Sequence, residues 1–190
     1  IPAIPLYAYS LHASETMLGL LGTLPAVTYA ALAVKFGQLS EKIGRRIFII
    51  LGPLLYSCIS LAYLASSDLN QILAIRSLEG ISFALFWPCT EAYIADLGGI
   101  SRRRAIGYYT LAWSGGITLG PTIGGYLIRE VSIVSPFAVC TITMLSSLFL
   151  ALRSTDRMGG HKDLSQTTAN GEPVASRSIL YAILGYAFAQ

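Results

Sequence analysis

The sequence predicts an all-α membrane protein, and three observations carry that prediction. Of its 190 residues 54% are hydrophobic and only 12% are charged, whereas a soluble domain has roughly a quarter charged residues. The apolar residues fall in runs near the length of about 20 that a helix needs to cross the hydrocarbon layer of a bilayer. The cations, finally, gather in the polar stretches between those runs. The net charge of +3 is therefore spread over connections, where it sets topology, and does not form a nucleic-acid-binding patch.

Taken in order, residues 1–9 are apolar but too short to span a bilayer, and read as the tail of a first helix whose start is missing. Ser10 to Glu15 makes a polar turn, with His12 a solvated loop residue. The second helix covers Thr16 to Phe36, with Gly19 and Gly22 as candidate close-contact positions and Pro25 as a kink that neighbouring helices can satisfy. Gly37 to Arg46 reads as a short basic hairpin, because Gly37 and Gly44 allow tight turns and Lys35, Lys42, Arg45 and Arg46 cannot lie in hydrocarbon. The third helix is Ile47 to Ser66, Ser67 to Asn70 is a turn, and the fourth helix runs from Gln71 to Ala95. Arg102, Arg103 and Arg104 form a second basic loop, followed by the fifth helix (Ala105 to Ile128), a turn at Arg129 to Ser132, and the sixth helix (Ile133 to Leu152).

These spans give a bundle over residues 1–153, with its first helix truncated. A polar, Gly- and Pro-containing linker over 154–177 cannot bury a core. Residues 178–190 turn apolar again and read as the start of a second bundle. Cys58, Cys89 and Cys140 each sit inside an apolar run, without metal or redox spacing, and read as packing residues. Of the 13 cations, only Arg76 and Arg129 fall off the connections assigned to one face. That asymmetry places the basic loops in the cytoplasm of a multi-pass plasma-membrane protein.

The ten residues GQLSEKIGRR, from Gly37 to Arg46, resemble the signature loop between the second and third helices of the major facilitator superfamily. Gly37, Leu39, Lys42, Gly44, Arg45 and Arg46 match, and Glu41 replaces the usual Asp. The resemblance implies a six-helix half of that fold plus the start of a seventh helix, a missing carboxy-terminal half, and twelve or fourteen helices in all. It also implies that Asp96, at the inner end of the fourth helix, pairs with Arg45 as a gate latch; read alone, Asp96 is equally well a solvated surface charge. Glu41 would by the same resemblance face a helix N-terminus in the missing half.

Arg76, Glu79 and Glu91 lie on the fourth helix in apolar surroundings. Arg76 is roughly 9 Å and Glu79 roughly 13 Å beyond the turn at Asn70, inside the hydrocarbon layer. An isolated charge there costs about 2.5 to 3.5 kcal/mol or more, so these groups must be paired, hydrated or neutralised. Arg76 and Glu79 are three residues apart and can pair directly. Phe83, Trp87 and Thr90 continue the same stripe, suiting either a cavity for an amphiphilic or aromatic molecule or a structural salt bridge with aromatics facing lipid. Arg76-Ser77-Leu78-Glu79-Gly80 resembles the superfamily's fourth-helix Arg-x-x-Gln-Gly motif, which implies a part in proton transfer. Glu79 in place of Gln either adds a titratable carboxylate or holds Arg76 in place.

In the fifth helix Gly116, Gly120 and Gly124 recur every four residues beside Gly125, a spacing that lets helix backbones approach closely, and Pro121 should bend the helix. Gly116, Gly120, Pro121, Gly124 and Gly125 resemble the superfamily's drug:proton antiporter motif; resemblance thus covers the chain apart from the linker. It implies a proton-coupled exporter of a small amphiphilic compound working by alternating access, in which Arg76, Glu79 and Glu91 couple the proton and its binding at Glu79 or Glu91 shifts which side is open, with the bilayer, the substrate and protons as partners. The alternatives are a facilitator or proton symporter for a sugar or organic anion, with Arg76 as the anion contact, and a non-transporting scaffold or sensor. No phosphate-cradling loop, catalytic triad or metal-ligand cluster is legible, so neither an enzyme nor a cofactor is expected.

Overall fold

A computed structural model describes residues 3–96 and 99–158, with side chains described for 4–96 and 102–152. These residues form six helices and no strand: α1 (Ala3–Ser10), α2 (Glu15–Ile43), α3 (Arg45–Ala65), α4 (Leu69–Asp96), α5 (Gly99–Glu130) and α6 (Ser135–Met158). The expected linker beyond 158 and the start of a second bundle lie outside the described residues.

Local chemistry sets the helix ends. The Ser14 side chain accepts from the Met17 N–H at 3.4 Å, and Glu15 follows in the first turn of α2, where the positive end of the helix dipole favours a carboxylate. At its other end α2 runs on through the segment expected as a hairpin. Gln38 to Lys42 are compatible with a helix, and one glycine costs only about 1 kcal/mol there, so Gly37 does not turn the chain. Gly44 alone breaks it, at φ 111°, donating its N–H to the Ser40 carbonyl at 2.9 Å. That left-handed position favours glycine. The predicted loop at Arg102 to Arg104 is likewise inside a helix, the second turn of α5, and α6 extends past the predicted boundary at Arg153.

Helix α4 is the centre of the bundle. It packs chiefly on α2 and α3, and α3 packs in turn on α6, whereas α5 touches α1, α4 and α6 only lightly. Glycines make the two closest approaches. A Cβ built on Gly80 would lie 2.4 Å from the Pro25 carbonyl oxygen of α2, and one on Gly52 of α3 would lie 2.7 Å from the Phe86 Cβ of α4. Ser82 then donates to the Gly52 carbonyl at 2.9 Å, stitching α4 to α3. Gly19 and Gly22, expected to make close contacts, face open space instead.

Among the described residues four helices are long and apolar enough to cross a membrane: α2, α3, α4 and residues 135–152 of α6. Helix α5 is not among them, since glycines, hydroxyls and the Arg102–Arg104 run lower its mean hydropathy. Large apolar side chains such as Val34 and Ile142 point outward at 67% and 65% exposure. In water that would be costly, and against lipid tails it is the favourable arrangement.

The Gly80 contact makes a direct prediction. Gly80→Ala must push backbone against backbone and should destabilise the purified full-length protein by about 1 to 3 kcal/mol, whereas Gly22→Ala, with nothing within 4 Å of the new Cβ, should be neutral or slightly stabilising. Thermal unfolding in detergent reads both.

Candidate functional site

The site begins with a proline. Pro25 has no N–H, so the Leu21 carbonyl, one turn earlier in α2, loses its helical donor. Arg76 of α4 supplies the replacement, donating its Nε–H to the Leu21 oxygen at 2.8 Å. Such repair by a neighbour is what allows proline inside a membrane helix. Gly80, one turn along α4, leaves the space that brings the two helices close enough for it.

Arg76 also pairs with Glu79, as the spacing predicted, and here α3 enters. Glu79 Oε1 accepts from the Tyr56 hydroxyl at 2.6 Å, and Oε2 accepts from the Tyr63 hydroxyl at 3.3 Å as well as from Arg76. Glu79 is 1% exposed and Arg76 14%. The tyrosine rings are themselves held by stacking, Tyr56 on Phe83 with centroids 5.8 Å apart and Tyr63 on Phe137 at 5.0 Å. A buried carboxylate with three donors, one of them a guanidinium, meets the condition under which such a pair is tolerated out of water.

Glu91 lies three turns further, roughly 18 Å along α4, in a different setting. Its side chain is exposed and accepts the Tyr109 hydroxyl of α5 at 2.9 Å. Trp87 meets Tyr109 and Trp113 edge to face, with centroids 5.8 Å and 4.7 Å away. Thr90 beside it is buried, and its hydroxyl has no hydrogen-bond partner among the described residues. Of the three residues expected to line a cavity, then, Trp87 and Thr90 are buried within the bundle and Phe83 is half-buried against Tyr56.

At the opposite end of α4 from the Ser67–Asp68 turn, Arg45 and Asp96 form an ion pair that joins the start of α3 to the end of α4. Glu41 is exposed nearby, Arg46 is half-buried, and Gly37 packs on Pro88 at an ordinary 3.9 Å. On α5 the glycine ridge is only partly used: Gly116 and Gly124 are buried, Pro121 is exposed, and Gly120 and Gly125 have nothing within 4 Å of a built Cβ. Among the described residues no group of three His, Cys, Asp or Glu could hold a metal ion.

Sequence reasoning missed Tyr56, Tyr63, Tyr109 and Trp113. A signal for the first two existed, since residues seven apart share a helix face and two phenols there in an apolar helix need a polar partner. For Tyr109 and Trp113 no comparable signal exists, because their partners lie on another helix whose rotation the sequence leaves open.

A profile described as the Major Facilitator Superfamily matches residues 1–190. Multidrug resistance protein 1 of Bacillus subtilis is 31% identical over 83% of this chain and 41% of its own length. Multidrug resistance protein 2 of the same organism is 30% identical over 88% of the chain and 43% of its length. The quinolone resistance protein NorA of Staphylococcus aureus is 28% identical over 72% of the chain and 35% of its length. The chain thus spans less than half of each of these relatives. No solved structure matches.

The two carboxylates should differ sharply when truncated. Glu79→Ala leaves Arg76 buried without its counter-charge and should cost about 3 to 5 kcal/mol, whereas Glu91→Ala removes one exposed hydrogen bond and should cost about 0.5 kcal/mol or less. Denaturation midpoints of the full-length protein measure the difference.

Proposed function

Because the chain belongs to the Major Facilitator Superfamily, we propose that it forms the amino-terminal half of a secondary transporter that exports a small amphiphilic compound in exchange for protons. The observation that carries this reading is the pairing of a closed intramembrane charge network at Arg76 and Glu79 with an accessible carboxylate at Glu91, both on the helix at the centre of the bundle. Intramembrane ionisable groups mark ion and substrate pathways by default. Relatives named for multidrug and quinolone resistance support a drug-like cargo and the outward direction.

In this mechanism Glu91 takes the proton. Among the described residues its exposed carboxylate has a single hydroxyl partner, so it can exchange a proton without dismantling a network. A proton removes a charge from low-dielectric surroundings, and any difference in that benefit between inward-open and outward-open states shifts their populations. Trp87, Tyr109 and Trp113 give the same region an aromatic wall for an amphiphile, with the unpartnered Thr90 hydroxyl behind it and Phe83 linking that wall to the Tyr56–Glu79 network.

The Arg45–Asp96 pair acts as the inner latch, tying α3 to α4 on the cytoplasmic side while that side is closed. Gly120 and Gly125, open on α5, receive helices of a second bundle, and Glu41 meets a helix N-terminus of that bundle. A facilitator or symporter reading would use Arg76 as an anion contact. Its guanidinium is already engaged by Glu79 and the Leu21 carbonyl, which favours export.

Reconstituted into vesicles, the full-length protein should drive uptake of an amphiphilic dye when a pH gradient is applied. Glu91→Gln should reduce the gradient-dependent part by roughly tenfold or more while leaving dye binding measurable. Dye movement that ignores the pH gradient in both proteins would remove the antiport reading.

A further inference from the structure

The proton path described above leaves one intramembrane carboxylate without a task. Glu79 is almost completely buried, and both of its oxygens are occupied by donors: Tyr56 on Oε1, Tyr63 and Arg76 on Oε2. A protonated carboxyl group must itself donate a hydrogen bond, and the three groups bonded to Glu79 all act as donors to it. Arg76 has donors only, with its Nε–H already spent on the Leu21 carbonyl. Either phenol could accept only by turning its own proton away, and the stacks on Phe83 and Phe137 fix where those oxygens sit. Protonation would also strand Arg76 as an unpaired charge in a buried site.

The geometry points to Tyr56 and Tyr63 as positioning residues whose paired hydroxyls hold Glu79 as the fixed counter-ion of Arg76 and so exclude it from the proton exchange. The two phenols are seven residues apart on one face of α3 and reach different oxygens of the same carboxylate. Two donors from a second helix accomplish what one could not: they set the rotation of the carboxylate, keeping Oε2 on Arg76 and through Arg76 keeping α4 on the Pro25 turn of α2. The inference rests on the proton-coupled reading above and deepens it, because it assigns the exchanged proton to Glu91 by taking Glu79 out of play.

The groups that face Glu79 are Tyr56 and Tyr63 from α3, Arg76 from α4 and Cys140 from α6, with α2 contributing the Leu21 carbonyl through Arg76. Those that face Glu91 are Tyr109 from α5 and Tyr29 from α2. The two sets share no residue. A change at the tyrosines of α3 therefore reports on Glu79 and not on Glu91.

Difference infrared spectroscopy on the purified full-length protein, stepped across about pH 5 to 8, tests this without depending on transport. The carboxylic-acid bands of the wild type should include none that disappears in Glu79→Gln. Such a band should emerge in Tyr56→Phe/Tyr63→Phe, and it should vanish again when Glu79→Gln is added. In vesicles the same tyrosine pair should gain a second inflection in its exchange-versus-pH profile, also abolished by Glu79→Gln. A merely structural role would lower the rate at every pH and add neither feature.

A Glu79-dependent acid band in the wild type would overturn the assignment, as would tyrosine variants that fold but show none. If the double variant does not fold, Tyr63→Phe, which removes the longer 3.3 Å contact, gives the same readout. Exchange that ignores pH in the wild type would sink the antiport reading, and the infrared result would still decide the role of the tyrosines.

Discussion

The hydrogen bond from Arg76 to the Leu21 carbonyl is the constraint from which the rest of the bundle follows. A proline in the middle of α2 exposes a carbonyl in a medium with no water to satisfy it, and an unmet backbone group there costs several kcal/mol. An arginine repairs the defect but brings a full charge into the same medium. The charge requires Glu79, Glu79 requires more donors than α4 can supply, and Tyr56 and Tyr63 bring them from α3. Each step answers the electrostatic debt of the one before, and the result binds three helices at one point. Gly80 and Gly52 are the steric counterpart, removing the side chains that would hold those helices apart.

Against that closed knot the remaining functional groups sit at the margins. Glu91 is exposed beside an aromatic cluster shared with α5, and α5 engages its neighbours only lightly. Its glycine ridge leaves Gly120 and Gly125 open. A core built on α4, packed against α2 and α3, with a lightly held α5 suits the alternating access proposed above, since such a core can move as a body while contacts at its edge are remade. The Arg45–Asp96 pair, half-exposed at one end of α4, has the character of a contact that can break and re-form.

Much of this was legible in the sequence, and the physical reasons for the remainder are specific. Spans of apolar residues read through to α2, α3, α4 and α6, because bilayer thickness imposes their length. The Arg76–Glu79 pair followed from helical spacing alone, and Arg45 with Asp96 from family resemblance. Helix boundaries were less legible: charge at Lys42 and at Arg102 to Arg104 signals departure from hydrocarbon, not departure from helix, so the first basic stretch is helical except at Gly44 and the second lies inside α5. Contacts between helices were hidden altogether. Gly19 and Gly22 looked as suitable for close packing as Gly52 and Gly80, and only the rotation of each helix about its axis separates them.

A double-mutant cycle on Pro25 and Arg76 tests the central claim most directly, read as thermal stability of the purified full-length protein. Pro25→Ala returns an N–H to the Leu21 carbonyl, so the repair by Arg76 becomes redundant, while the cost of leaving Glu79 alone is common to both backgrounds and cancels. Arg76→Ala should therefore be less damaging with Pro25→Ala than without it, by a coupling of about 0.5 to 3 kcal/mol. Strict additivity of the two substitutions would contradict the account, since it would mean that Arg76 does not answer the carbonyl that Pro25 leaves open.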